Sequence, residues 1–184
     1  MRKLFLFSVL VVVAGLMTSC LEYREPQYTP RIYRSTFFVN PQFKNDTLVS
    51  FKDTLDLFYD NEEDAYVLDS VFLGDTIMFV GIFDAVVNNL VAVEMKWDTT
   101  EMDLWYLTTT DIDKALLKTD TVGNCICTMR FKPGYTSVRF PIYVAPKERD
   151  YMKLKLSVES DSDFPTNFVR IDFPVVEAPV TKDE

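Results

Sequence analysis

Residues 76–97 read TIMFVGIFDAVVNNLVAVEMKW, and they decide the class of fold. Residues 76–84 are dense in β-branched and aromatic side chains, which suit a pleated, half-buried surface. Asn88-Asn89 supplies turn chemistry. Residues 90–97 then alternate: Val91, Val93, Met95 and Trp97 on one side, Glu94 and Lys96 on the other. A period of two is the mark of a half-buried strand, so the stretch reads strand, turn, strand.

The same rhythm runs outward in both directions. Downstream, residues 125–131 place Cys125, Cys127, Met129 and Phe131 on one face. Val138, Phe140, Ile142 and Val144 share a face, as do Met152, Leu154, Leu156 and Val158 against Lys153, Lys155 and Glu159. Val169, Ile171, Phe173 and Val175 repeat the pattern against Arg170 and Asp172. Upstream, Phe37-Phe38-Val39, residues 54–59 and residues 66–73 read as further short strands, with an acidic turn at residues 60–64. Residues 99–124 break the rhythm and read as an insertion. Inside it, residues 111–118 predict one short helix capped by Asp111 or Thr110. About eight short strands with frequent turns predict an all-β, antiparallel sandwich.

The stretch LGDTIMFVGIFDAVVNNLVAVEMKWD resembles the middle strands of bacterial immunoglobulin-like and PKD-like domains. YMKLKLSVES and FVRIDFPV resemble their last two strands. The likeness spans most of residues 35–177, and the insertion at 99–124 departs from it. It implies an immunoglobulin-like β-sandwich.

The N-terminus has its own logic. Met1-Arg2-Lys3 is positive, residues 4–16 are apolar apart from Ser8, Ala14 and Gly15, and Thr18-Ser19-Cys20 follows. This is a secretory signal layout, and the run is short for a membrane span, which needs about 20 apolar residues. Ending on a cysteine, it resembles the bacterial lipoprotein signal. That likeness implies removal of residues 1–19, acylation of Cys20 and a lipid hold on the membrane. Residues 20–34, with two prolines among alternating charges, read as the lipidated cysteine and a tether. Residues 35–177 read as the domain and residues 178–184 as a loose tail. Leu21, not an aspartate, follows the cysteine, so the expected place is the outer membrane, at the cell surface or facing the periplasm. Taken whole, the chain resembles small Bacteroidota-type surface lipoproteins with an immunoglobulin-like domain.

Composition narrows the function. The chain carries 19 Lys and Arg against 28 Asp and Glu, a net charge of −9, which argues against nucleic acid as a partner. It has no histidine, so His-based nucleophile activation and the usual zinc sites are excluded. Asp60, Glu62, Glu63 and Asp64 cluster, but an EF-hand started at Asp60 would have Ala65 and Val71 where glycine and a carboxylate belong. Asp98, Glu101 and Asp103 are the remaining acid–base candidates, with no spacing that marks a pair. The expectation is a non-enzyme with no cofactor and no metal. Cys125 and Cys127 read as two buried free thiols, the other reading being a strained bridge between neighbours on one strand face.

Two kinds of candidate site remain. Trp105-Tyr106 in the irregular segment offers large, rigid contact surfaces. Six Asp-Ser/Thr pairs put candidate O-glycosylation at Thr47, Thr54, Ser70, Thr76, Thr99 and Thr121, because they resemble the acceptor sequence of Bacteroidota-type bacteria. The same pairs also suit ordinary turn-to-strand junctions. The functional expectation is a non-catalytic, membrane-anchored lipoprotein acting as a binding or assembly accessory for an envelope protein partner. The alternative is a glycan-binding lipoprotein working with a nutrient-uptake complex of the outer membrane.

Overall fold

A computed structural model describes residues 27–148 and 150–177. Cys20, the signal segment and residues 178–184 lie outside the described residues. In chain order the strands are β1 (Arg31–Arg34), β2 (Phe37–Val39), β3 (Gln42–Lys44), β4 (Thr47–Ser50), β5 (Asp53–Leu55), β6 (Leu57–Asp60), β7 (Ala65–Leu68), β8 (Val71–Phe72), β9 (Ile77–Asp84), β10 (Leu90–Lys96) and β11 (Met102–Tyr106). After helix α1 (Thr110–Ala115) come β12 (Leu116–Val122), β13 (Ile126–Phe131), β14 (Ser137–Pro146), β15 (Asp150–Ser160) and β16 (Thr166–Val176). No helix among the described residues is long and apolar enough to cross a membrane.

The strands form two main sheets. The first runs β11-β14-β9-β2-β5, with β1 also on β9; the second runs β12-β13-β10-β15-β16-β7-β6, with β8 also on β16. Label β2, β9, β10, β11, β14, β15 and β16 as A to G in chain order. The first sheet then contains D-E-B-A and the second C-F-G, which is the immunoglobulin arrangement. The chain is therefore an all-β, immunoglobulin-like sandwich. The described residues form twice the expected number of strands, because short pieces of two to four residues decorate this frame in the N-terminal half and the longer β12 and β13 are added between D and E.

The inward faces meet in one core. Phe37 packs its ring 4.7 Å from Phe79 of its own sheet and 6.3 Å from Phe173 of the facing one, so a single side chain joins the layers. Met95, Met129, Ile142, Leu154 and Ile171 are also fully buried, and each such side chain contributes roughly 1.5–3 kcal/mol through removal from water. Gly81 faces Phe140 across the β9–β14 ladder, and a Cβ there would come within 2.9 Å of Ile142 Cδ1.

Several expectations need correcting. The expected insertion at 99–124 starts too early: Met102–Tyr106 is the D strand β11, whereas the helix and strand β12 lie between D and E, outside the A-to-G frame. The helix starts at Thr110, is capped by Thr109, whose Oγ1 accepts from Ile112 N at 3.4 Å, and ends at Ala115 because Leu116 turns into β12. The end of the tether is structural too: Arg31 to Arg34 pair with β9, and Ser35 Oγ accepts from Val80 N at 2.9 Å where β1 gives way to β2. A bulge at Val91 puts Leu90 in the core in its place. Residues 54–59 split at Asp56, where the chain passes from one sheet to the other, and residues 66–73 split into β7 and β8. Cys125 sits in the β12–β13 turn, half-exposed, while Cys127 is buried on the strand; both are free thiols.

Candidate functional site

Strand β11 is an edge: among the described strands it is bonded only to β14. The bonds Leu107 N to Pro141 O (3.2 Å) and Lys147 N to Glu101 O (2.9 Å) continue that ladder at its two ends. Alternation along an antiparallel pair therefore turns the backbone of Asp103 and Trp105 toward β14. The N–H and C=O of Leu104 and Tyr106 point the other way, off the sheet.

Side chains alternate as well. Leu104 and Tyr106 pack against the core, and Trp105 and Asp103 stand on the outer face. Trp105 lies parallel to Tyr143, its cross-strand neighbour, with planes 5° apart and centroids at 5.4 Å. That stack leaves Trp105 40% exposed and Tyr143 covered at 8%. Tyr106 points inward, its ring 5.7 Å from Phe140, and its hydroxyl accepts from the Cys127 thiol at 3.6 Å. Burial, and then the Cys127 contact, push its phenol well above the ordinary value. Trp105 and Tyr106 are thus on opposite faces of one strand and do not form a single flat platform.

Facing this edge is the β12–β13 hairpin, whose turn needs positive φ at Gly123 and Asn124. Between the hairpin and β11 runs a groove of about 500 Å³, lined by Trp97, Trp105, Tyr106, Cys127, Thr121 and Asn124, with Asp103 and Lys147 at its mouth. The Asp103 carboxylate and Lys147 ammonium are 2.6 Å apart, and Lys147 also donates to Thr99 O at 3.1 Å. Trp97, expected as core, packs on the core and also lines the groove.

The carboxylates of this end have separate partners. Asp98 Oδ1 accepts from Thr100 N and Oγ1 at 2.8 and 2.7 Å, which holds its carboxyl below the usual range. Glu101 Oε2 accepts from Lys153 N at 3.2 Å. The acidic turn at residues 60–64 is likewise held locally. Asp60 Oδ1 accepts from Glu62 N and Glu63 N at 2.9 and 3.3 Å, Tyr59 donates to Asp64, and Glu63 pairs with Arg170 at 2.9 Å. Among the described residues no three His, Cys, Asp or Glu side chains come together as a metal site.

The candidate O-glycosylation residues separate by exposure. Thr47, Thr54, Ser70 and Thr121 are exposed, whereas Thr76 and Thr99 are half-buried. Some of the preceding aspartates have structural tasks. Asp53 accepts from Thr54 N at 2.8 Å, and Asp75 is buried beneath Asn40 and Lys52.

Sequence reasoning picked out Trp105 and Tyr106 but not Tyr143, Lys147 or Asn124. Tyr143 and Lys147 fall on the outward parity of the β14 run, a signal shared with any solvated position. No family model matches the chain, and no curated protein matches it. One solved structure that resembles it is the ASH/PapD-like domain of human CEP192 (PapD-like domain 7), at 11% identity over 76% of this chain and 100% of that one, with a TM-score of 0.33.

Proposed function

We propose that the chain is a non-catalytic binding domain of the bacterial cell envelope, held to the outer membrane by lipid on Cys20, and that it takes a protein partner in the groove between β11 and the β12–β13 hairpin. The observation that carries this is the groove itself: an open side of the sandwich, walled by Trp97, Trp105 and Tyr106, of the aromatic type enriched in binding hot spots. The opposed faces of Trp105 and Tyr106 favour a partner that wraps the strand edge over a sugar stacked on one platform. Tyr106 is held neutral and bonded to Cys127, so it offers no base for catalysis.

The test is affinity capture from the source envelope with the full chain and with Trp105→Ala. Loss of a hot-spot aromatic is expected to weaken partner binding by about 2 kcal/mol or more without loss of fold. Partner binding unchanged by Trp105→Ala, or a glycan-array signal abolished by it, would overturn this reading. The anchor is tested separately: Cys20→Ala should stop incorporation of a clickable fatty acid, and continued labelling would refute it.

A further inference from the structure

We propose that the groove takes one extended segment of a basic partner protein as an added strand on β11. The proposal rests on the reading of the groove as a protein-binding site and names how the partner is held.

The first ground is hydrogen bonding. The Leu104 and Tyr106 N–H and C=O groups point away from β14, and no described residue bonds to them. They sit two residues apart on one edge, the spacing at which an incoming strand pairs.

The second ground is room of the right width. On β13, Met129 and Cys127 are buried; beside them on β12, Thr119 and Thr121 are exposed although they share the inward face. The contact between Tyr106 and Cys127 sets β11 over β13. The second sheet therefore reaches one strand further than the first, and no described strand occupies the place beside β11 and above β12. Strands lie about 4.8 Å apart within a sheet and sheets about 10 Å apart, so that place fits a single strand. Helix α1 closes one end of it, with Ile112 and Ala115 buried and Lys132 N bonded to Ala115 O at 2.9 Å.

The third ground is the identity of the occupant. A second copy pairing edge to edge, about a twofold axis normal to the sheet, would bring its own β12 under β11, where β13 already lies. That overhang admits a lone strand and rejects a whole sandwich. Asp103 and Lys147 line the groove as a pair 2.6 Å apart, the carboxylates of Asp98 and Glu101 lie just upstream in the chain, and the whole chain has a net charge of −9. Beside Asp103, the exposed Trp105 ring is a surface over which a lysine or arginine side chain packs favourably. The added strand thus presents basic residues to the outer face and small or aliphatic ones to Thr119 and Thr121.

The probe is a displayed library of short random peptides, selected against the full chain in detergent. Enriched peptides should alternate basic with small or apolar residues and should slow amide exchange at Leu104 and Tyr106. Methylating their alternate backbone nitrogens should weaken binding at least about tenfold, as expected for lost backbone hydrogen bonds. Leu104→Pro should do the same, since it removes an outward N–H and no β11–β14 bond; the methylated peptides need no variant. If methylated peptides bind as well as their parents while Trp105→Ala abolishes binding, strand addition is wrong and the groove reading stands. No enrichment, binding that leaves the groove amides unchanged, or protection of Leu104 and Tyr106 by self-association alone would overturn both.

Discussion

Tyr106 and Cys127 touch across the sandwich: the phenol oxygen of the first sheet's edge strand lies 3.6 Å from the thiol sulfur of the second sheet. This polar contact ties β11 to the hairpin that forms the opposite wall of the groove.

Breaking that contact has a pH signature. Tyr106 is raised above the ordinary tyrosine value by burial and by Cys127, and Tyr143 is raised by burial. A pKa raised in the fold contributes stability that is complete below the unfolded value, about 10, and is lost as pH climbs through the folded one. Spectrophotometric titration should show these two phenols ionising above the ordinary tyrosine value, with thermal stability falling there. In Tyr106→Phe that alkaline loss should shrink, at a cost of about 1 kcal/mol at neutral pH for the lost contact.

The two thiols should behave differently. Cys125 is half-exposed in the turn and Cys127 is buried at 3%. A bulky maleimide, located by peptide mass spectrometry, should label Cys125 promptly in native protein and reach Cys127 only on unfolding, since buried thiols are inert. Prompt labelling of Cys127 would contradict the described packing.

Trp105→Ala should separate binding from folding. Its indole covers Tyr143 but leaves the core untouched, so the loss of stability should stay near the roughly 0.5–1.5 kcal/mol of an aromatic pair. A melting temperature that collapses would mean that the stack is a structural support.

At the far side of the first sheet, Asp75 is the polar centre of a second knot. It accepts from Asn40 Nδ2 at 2.7 Å and pairs with Lys52 at 2.9 Å, and Asn40 Oδ1 accepts from Thr76 N at 2.7 Å. Asp75→Ala orphans Asn40 where it is half-buried and should cost about 1–3 kcal/mol in urea denaturation. Lys52→Met should cost less, because the ammonium is half-exposed and such pairs contribute little.

What was legible in the sequence is what alternation encodes. The inward faces of β13, β14, β15 and β16 could be read residue by residue, because side-chain direction along a strand is local and repeats every two positions. Hence the all-β class and the sandwich. Local pattern failed where one strand has an irregular neighbour: the bulge at Val91 shifts the face by one, and Met102–Tyr106 sits beside a turn and a helix that hide its alternation.

Pairing was not legible. Trp105 with Tyr143, Tyr106 with Cys127, and Arg31 with Asp84 each join residues far apart in the chain. By itself the sequence determined which residues of β13 to β16 face the core, the acidic balance and the absence of histidine. The tertiary structure alone decided that Trp105 and Tyr106 fall at an edge where no described strand but β14 is bonded, and that β12 overhangs it. Register and sheet order follow from how distant strands fill a shared core, and no short window of sequence carries that information.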